Sequence, residues 1–360
     1  MSSTISVLLP INIDRWRSSI ATQMRAVVEA NPDIHFFSFS SPTNEEDQRN
    51  GEKFWARSHV TKVTRFNFLQ YRYDVVQLAA ISNQNIAAAL LAKLRSLGRT
   101  QIVSIICLEI VPEDRNAWRN YHKLLPWPDY FLSVSNAAGQ LSRMKAPDRY
   151  AGVILNGYAE DYFDPTIDDE AGIPQRMAEY QGESYLLYVS SIEKRKRTDH
   201  LIRMAKRMPD IIFVVAGFVL QGEGEPYVEE MNALPNVVWL GLVNRRELRW
   251  LYQHAAALFF PSDREGLPLA VIEALGMGLP VIAQPKSSMP DLVKPGDNGE
   301  LLLCEQEDEW EQACRKYLAL TQAERTEIRT RLHEQSAEHL SWDAAGKRYG
   351  DFYKRIMQEG

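Results

Sequence analysis

Short apolar runs alternate with helix-period segments along almost the whole chain, and no other feature restricts the fold so tightly. In the first half the runs are ISVLLPI, IHFFSFS, DVVQLAA, QIVSIICL, DYFLSVS and AGVILN; in the second they are SYLLYVS, IIFVVAG, NVVWLG, ALFFPS, PVIAQ and GELLL. This alternation argues for parallel sheets joined by crossover helices. Between the two sets lies NGYAEDYFDPTIDDEAGIPQRMAEYQGE, polar and rich in turn residues, which reads as an interdomain linker. A chain of 360 residues exceeds one ordinary core. Two doubly wound α/β domains are therefore expected, at 1–160 and 161–340, with a final helix at 341–360 packing back towards the first. Ligands of such sheets sit at the carboxyl ends of the strands, which places the expected site in a cleft between the domains.

Composition narrows the class further. A hydrophobic fraction of 45% and a charged fraction of 24% are those of a soluble globular protein. No apolar run approaches the length that spans a bilayer. The start MSSTISVLLPI lacks a basic n-region and reads as a first strand, not a signal peptide. Cys107, Cys304 and Cys314 form neither a disulfide framework nor a zinc spacing, which suits free core thiols in a reducing cytoplasm. The net charge of −6 is uneven: residues 1–160 carry 18 Lys and Arg against 14 Asp and Glu, the remainder 23 against 33. A mildly basic first half suits an anionic acceptor or a peripheral contact with the inner membrane face better than nucleic acid.

The segment DREGLPLAVIEALGMGLPV, residues 263–281, carries the sharpest chemical signal. From Leu267 to Val281 every residue is apolar, glycine or proline except Glu273. Pro268 suits the first position of a helix, because its φ is fixed and its missing N–H had no partner to lose. Leu267 is then the N-cap and accepts nothing, so the amides of Leu269 and Ala270 point outward with the positive end of the helix dipole behind them. Such an end binds phosphate; capping by water is the alternative. A carboxylate on an apolar helix is costly to bury without donors. Sugar hydroxyls of a bound nucleotide would supply them, and so would an arginine from elsewhere in the fold.

FFPSDREGLPLAVIEALGMGLPVIA resembles the signature of retaining family-4 glycosyltransferases, glycosyl transferases of group 1 with the GT-B fold. Glu265 and Glu273 match that family's two glutamates separated by seven residues. VILNGYAEDYFDP, YLLYVSSIEKRKRTDHLI, VVAG, VVWLGLVNRRELRWLYQHA and GDNGELL resemble further segments of the family, in the same order. The likeness covers roughly residues 150–350. Before that it is confined to architecture and the strand-then-SVSN pattern near Ser135.

The resemblance implies two Rossmann-like domains with a nucleotide sugar bound by the second. It implies that Glu273 accepts from ribose hydroxyls and that Glu265 holds or polarises the transferred sugar. The amides of Gly266, Leu267, Leu269 and Ala270 would line the sugar and diphosphate. Lys196, in the basic run EKRKR, would neutralise the leaving diphosphate; a solvated basic face is the other reading of that run. Main-chain groups near Val243 would read the base. Guanine would favour an acidic acceptor there, whereas Asn244 and Arg245 stand in this chain, which favours a uridine diphosphate donor. Transfer would occur with retention through an oxocarbenium-like state. No D-x-D triplet occurs, so neither a metal nor another cofactor is expected.

The chain departs from the family pattern in several places. The family's glycine-rich turn after the first strand is PINIDRWRSSIATQ here. Asn12, Arg15 and Arg17 are its acceptor-side candidates, and Ser18 and Ser19 read as helix caps. A common histidine after QIVSIICLEI is replaced by Ile106 or Cys107. Glu109, just beyond, is either a catalytic base or stabiliser or a surface carboxylate. The usual Gly-Arg is Ser190-Ser191, leaving Arg195 or Arg197 to compensate, and Pro268 removes one amide donor. EDRNAWRNYHKLLPWPDYF mixes Arg115, Arg119, His122 and Lys123 with Trp118, Tyr121 and Trp127. That mixture suits a membrane interface, a glycan platform or plain packing against the sheet. The expected function is transfer of a hexose or N-acetylhexosamine to a glycan, lipid-linked or small acceptor. The alternative raised by the departures is a protein that binds nucleotide sugar and transfers it weakly or not at all.

Overall fold

Each apolar run named above forms a strand. The computed structural model describes residues 4–14, 19–41, 44–57, 59–64, 67–79, 82–167 and 172–359. Among them the first sheet contains β1 (Ser6–Asn12), β2 (His35–Phe39), β3 (Val60–Val63), β4 (Val75–Leu78), β5 (Gln101–Ile106), β6 (Tyr130–Ser133) and β7 (Tyr150–Val153). Its order is β3-β2-β1-β4-β5-β6-β7 and every pairing is parallel. The second sheet contains β8 (Tyr185–Val189), β9 (Ile212–Ala216), β10 (Val237–Gly241), β11 (Ala257–Phe260), β12 (Val281–Ala283) and β13 (Gly299–Leu301). Its order is β10-β9-β8-β11-β12-β13, again all parallel. The expectation of a two-sheet, doubly wound α/β fold holds.

The helices, in chain order, are α1 (Ser19–Glu29), α2 (Glu45–Arg57), α3 (Asn83–Arg95), α4 (Arg115–Leu124), α5 (Asn136–Lys145), α6 (Thr198–Arg207), α7 (Glu225–Asn232), α8 (Arg245–His254), α9 (Leu269–Gly276), α10 (Met289–Leu292), α11 (Glu307–Leu318), α12 (Gln322–Leu340) and α13 (Trp342–Glu359). The chain divides into two compact units, 1–157 with 342–360, and 158–341. The first is completed by α13, which packs on α1 through Gly346 and Gly350. A Cβ on Gly346 would stand 2.6 Å from the Ala26 carbonyl oxygen, so only glycine allows that approach. The core of the second unit joins Leu186, Phe213, Val215 and Phe259 from its sheet to Met204 of α6 and Trp310 of α11.

Two expectations need correction. β3 was not anticipated from VTKV, which is only partly buried and lies at the sheet edge, where a continuous apolar run is not required. Residues 156–167 and 172–183 are not a free linker. Tyr158, Phe163 and Met177 are buried, Phe163 packs edge-on against Tyr252 at 5.9 Å, and Arg176 donates to the Trp239 carbonyl. Polar spacing hid three anchoring side chains that belong to the second unit.

Candidate functional site

Strand order in the second sheet reverses between β8 and β11. Ligands of open α/β sheets bind beside such a reversal, at the carboxyl ends of the strands. The loop after β8 carries Lys196 and the loop after β11 carries Glu265, and the two side chains meet. Lys196 Nζ lies 2.5 Å from Glu265 Oε1, with only 12% and 9% of the respective side chains exposed. Ser262 Oγ donates to the same oxygen at 2.7 Å, and Arg195 Nη1 lies 3.6 Å from Oε2. The Glu265 backbone is braced as well: its N–H donates to Ser287 Oγ at 3.0 Å, and that hydroxyl donates to the Glu265 carbonyl at 2.5 Å. Ser287 adopts φ 56°, a left-handed conformation unusual for serine.

A second layer of charge supports these loops. Arg197 pairs with Asp199 at 3.0 Å and reaches Asp263 at 3.5 Å, and Lys286 reaches Asp263 at 2.8 Å. Burial would raise the Asp263 carboxyl, but hydrogen bonds from Lys286 and Gln284 and the Arg197 charge hold it below its ordinary value. Arg195 is similarly engaged, donating to the Arg264 carbonyl at 2.7 Å and to Glu193 at 2.9 Å. Both arginines expected to compensate for Ser190-Ser191 therefore already have internal partners. Ser190 remains close-packed: a Cβ on Gly217, which adopts φ 156°, would stand 1.7 Å from the Ser190 carbonyl oxygen.

The glutamate helix α9 begins one residue later than the sequence suggested. Pro268, not Leu267, is the N-cap, with φ −75° and ψ 121°. Its carbonyl accepts from Val271 at 3.2 Å and Ile272 at 3.3 Å. The proline ring fixes φ but leaves ψ extended, so the first helical turn starts after it. The amides of Leu267, Leu269 and Ala270 find no acceptor among the described residues. Gly266 makes a contact of its own.

Glu273 points its carboxyl group into dense protein while part of its surface remains accessible. Its partner is not an arginine: Tyr252 Oη, on α8, donates to Oε2 at 3.2 Å. Burial pushes the Glu273 carboxyl up to about 7, against the lowering effects of the Tyr252 hydrogen bond and the Arg245 charge. Arg245 itself lies over the Tyr162 ring, 5.2 Å from its centre.

The remaining candidates lie on other elements. Val243 follows β10 and is half-buried. Asn244 is a helix cap: its Oδ1 accepts from Arg246 at 2.9 Å and Glu247 at 3.0 Å, and its own N–H donates to Glu247 at 2.8 Å. Asn12 ends β1, and its side chain is tied to the Ser41 main chain. Arg15, Arg17 and Ser18 lie outside the described residues; Ser19 begins α1. Glu109 is half-buried just past β5, in the unit that does not contain Glu265. Cys107, Cys304 and Cys314 are free thiols. Tyr252, Ser262 and Ser287 were missed from the sequence. Tyr252 had a faint signal in the helical spacing of RRELRWLYQHA, and Ser262 a local one, three residues before Glu265; Ser287 had none, because only folding brings it to Glu265.

Known proteins resemble this chain in sequence and in fold. The model of the glycosyl transferases group 1 family matches residues 169–339. The D-inositol 3-phosphate glycosyltransferase of Mycobacterium leprae is 25% identical over 276 residues, 74% of this chain and 59% of that protein. The chain thus spans less than two thirds of that relative's length. The HepE protein of Anabaena, crystallised with UDP and glucose, has a TM-score of 0.75 at 15% identity, over 98% of this chain and 100% of the other. Sucrose-phosphate synthase from Thermosynechococcus elongatus has a TM-score of 0.73 at 16% identity, over 99% and 100%. These solved structures share the two-sheet α/β fold, GT-B. Residues 169–339, a little under half of the chain, thus match the glycosyl transferases group 1 family.

Proposed function

We propose that the protein is a retaining glycosyltransferase that moves a hexose or N-acetylhexosamine from a nucleotide-diphosphate sugar, with UDP as the favoured carrier. The acceptor is a glycan, a lipid-linked sugar or a small molecule. The observation that carries this reading is the Lys196–Glu265 contact at the strand-order reversal, beside helix amides that have no acceptor among the described residues. Lys196 offers a cation to the leaving diphosphate, and the Leu269 and Ala270 amides add the positive end of α9. Glu265 then stands beside the sugar carbon as it becomes oxocarbenium-like. Glu273 takes the ribose hydroxyls in addition to its Tyr252 contact. The reaction is proposed to need no metal, since the sequence has no D-x-D triplet and Lys196 and the start of α9 offer the positive charge instead. The UDP complexes of HepE support the choice of donor.

Titration of UDP-glucose and other UDP-sugars by calorimetry tests the reading. Glu273→Ala is expected to weaken donor binding by about 1.5–3 kcal/mol, roughly ten- to a hundredfold. Glu265→Gln is expected to leave donor binding within a few-fold and to slow transfer by about a hundred- to a thousandfold. Unchanged affinity in Glu273→Ala would overturn the donor assignment. Donor binding without UDP release across an acceptor panel would favour the non-transferring alternative, to which the engagement of Arg195 and Arg197 lends some weight.

A further inference from the structure

The helices α3, α4 and α5 each return from one parallel strand to the start of the next, so their last turns line the amino edge of the first sheet. Half of the large apolar side chains that stand exposed among the described residues are found there. Leu91, Leu94 and Leu97 lie at the end of α3, Trp127 just past α4, and Met144 at the end of α5. Leu94 is 74% and Leu97 90% exposed, so neither packs against the fold. Leu97 also adopts φ 55°, where glycine or asparagine is the usual occupant. A large apolar residue thus occupies a projecting tip at a backbone conformation that disfavours it.

These positions form one face. Lys93 Nζ holds Asp129 at 2.5 Å, drawing the end of α3 to the segment after Trp127. Arg149 donates to the Pro128 carbonyl at 2.8 Å, drawing in the turn that follows α5. Arg95, Arg99, Lys123 and Lys145 are exposed on the same helix ends and have no ion-pair partner among the described residues. Against them stand Asp129, already held by Lys93, Asp74, held by Ser6, and Asp148. The chain as a whole is acidic, at −6, so this basic face is a local feature and not a general excess.

We propose that this face docks the protein on an anionic lipid bilayer. Single projecting apolar side chains set among unpaired cations match an interfacial anchor, in which the apolar groups enter the headgroup boundary and the cations meet lipid charge. A second copy is a poorer occupant, because a two-fold contact would set this basic face against itself. The carboxyl edge of the sheet, followed by Glu109, lies at the opposite end from the docking face and stays uncovered. No described helix is long and apolar enough to cross a membrane, so attachment would be peripheral through this face.

Co-sedimentation of the full chain with phosphatidylcholine vesicles, with and without phosphatidylglycerol, tests the proposal. Binding is expected only with phosphatidylglycerol and should weaken with added salt. Leu94→Glu with Leu97→Glu, and separately Arg95→Glu with Arg99→Glu, should each lower the bound fraction about tenfold or more while leaving the thermal melt unchanged. Parent-like binding by both double variants would overturn it, as would equal binding to neutral vesicles or no binding at all. A parent dimer dispersed by the leucine pair would also overturn it, by making the face a contact between copies.

Discussion

Glu273 sits on α9 with Tyr252 as its donor and, among the described residues, no cation within ion-pair reach. Its carboxyl is raised to about 7 in the folded protein, from an ordinary value of 4.5. At pH below 4.5 both folded and unfolded chains hold the proton, and the group does not bias folding. Between 4.5 and 7 the unfolded chain has released a proton that the folded one keeps, so stability falls as pH rises. Above 7 both are ionised and the burial cost is constant. Glu273→Gln removes that cost. It is expected to stabilise the protein on the order of 1–3 kcal/mol at pH 8 and to have little effect at pH 4. Thermal melts of the two proteins at both pH values check this; the same difference at each would show that the carboxyl does not titrate as described. Donor hydroxyls prefer the ionised form, so donor affinity should decline as pH drops below about 7. The residue that weakens the fold is thus the one proposed to grip the ligand. Its oddity was visible in the sequence, as a lone charge in an apolar run. Its actual partner was not, because Tyr252 comes from a different helix.

At the scale of elements, α9 is fixed at its far end by the segment that had looked like a linker. The ring of Tyr158 lies so close beneath Gly276 that a Cβ there would come within 2.7 Å of two ring carbons. His333, on α12, takes the Gly276 carbonyl at 2.6 Å. Gly276→Val should cost about 1–3 kcal/mol by overpacking, whereas Tyr158→Phe should be neutral or slightly stabilising. The reason for the second is that the Tyr158 hydroxyl is buried without a partner among the described residues. Chemical denaturation of both variants checks the pair, and a large loss in Tyr158→Phe would mean that the hydroxyl is satisfied after all. Elements with continuous apolar runs were legible: β8, for example, is YLLYV with four of its five residues buried. What failed were elements stabilised by position: β3, an edge strand, and the segment that anchors through the widely spaced Tyr158, Phe163 and Met177. The start of α9 failed by one residue for a local reason, since proline's ψ is free while its φ is not. The role given to Asn244 failed to anticipate the capping box with Glu247, a signal that was present as N-x-x-E.

For the molecule as a whole, the chain leaves its first unit at residue 157 and re-enters it at 342. The outgoing and returning segments run side by side: the Tyr158 N–H donates to the Leu340 carbonyl at 2.8 Å, and Tyr158 bridges to Ser341. The first unit is thus closed by the last helix of the sequence. Helix α13 buries Tyr349, Phe352, Tyr353 and Ile356 there. Gln23 Nε2 donates to Tyr349 Oη and to Asn156 Oδ1, each at 2.9 Å, and Asn31 donates to the Gly346 carbonyl at 2.8 Å. At about 1.5–3 kcal/mol per large buried side chain, those four residues contribute roughly 6–12 kcal/mol. That is comparable with the whole stability of an ordinary domain, about 5–15 kcal/mol. A chain ending at Ser341 should therefore unfold its first unit while the second, whose core contains no residue of α13, persists. Limited proteolysis should degrade residues 1–157 and leave a resistant fragment over 158–341. Under the proposed function that fragment should keep UDP-sugar affinity within about tenfold and lose transfer, because Lys196, Glu265 and Glu273 all lie within it. A first unit that stays protease-resistant without α13 would show that the helix is an accessory to that core, and not a part of it.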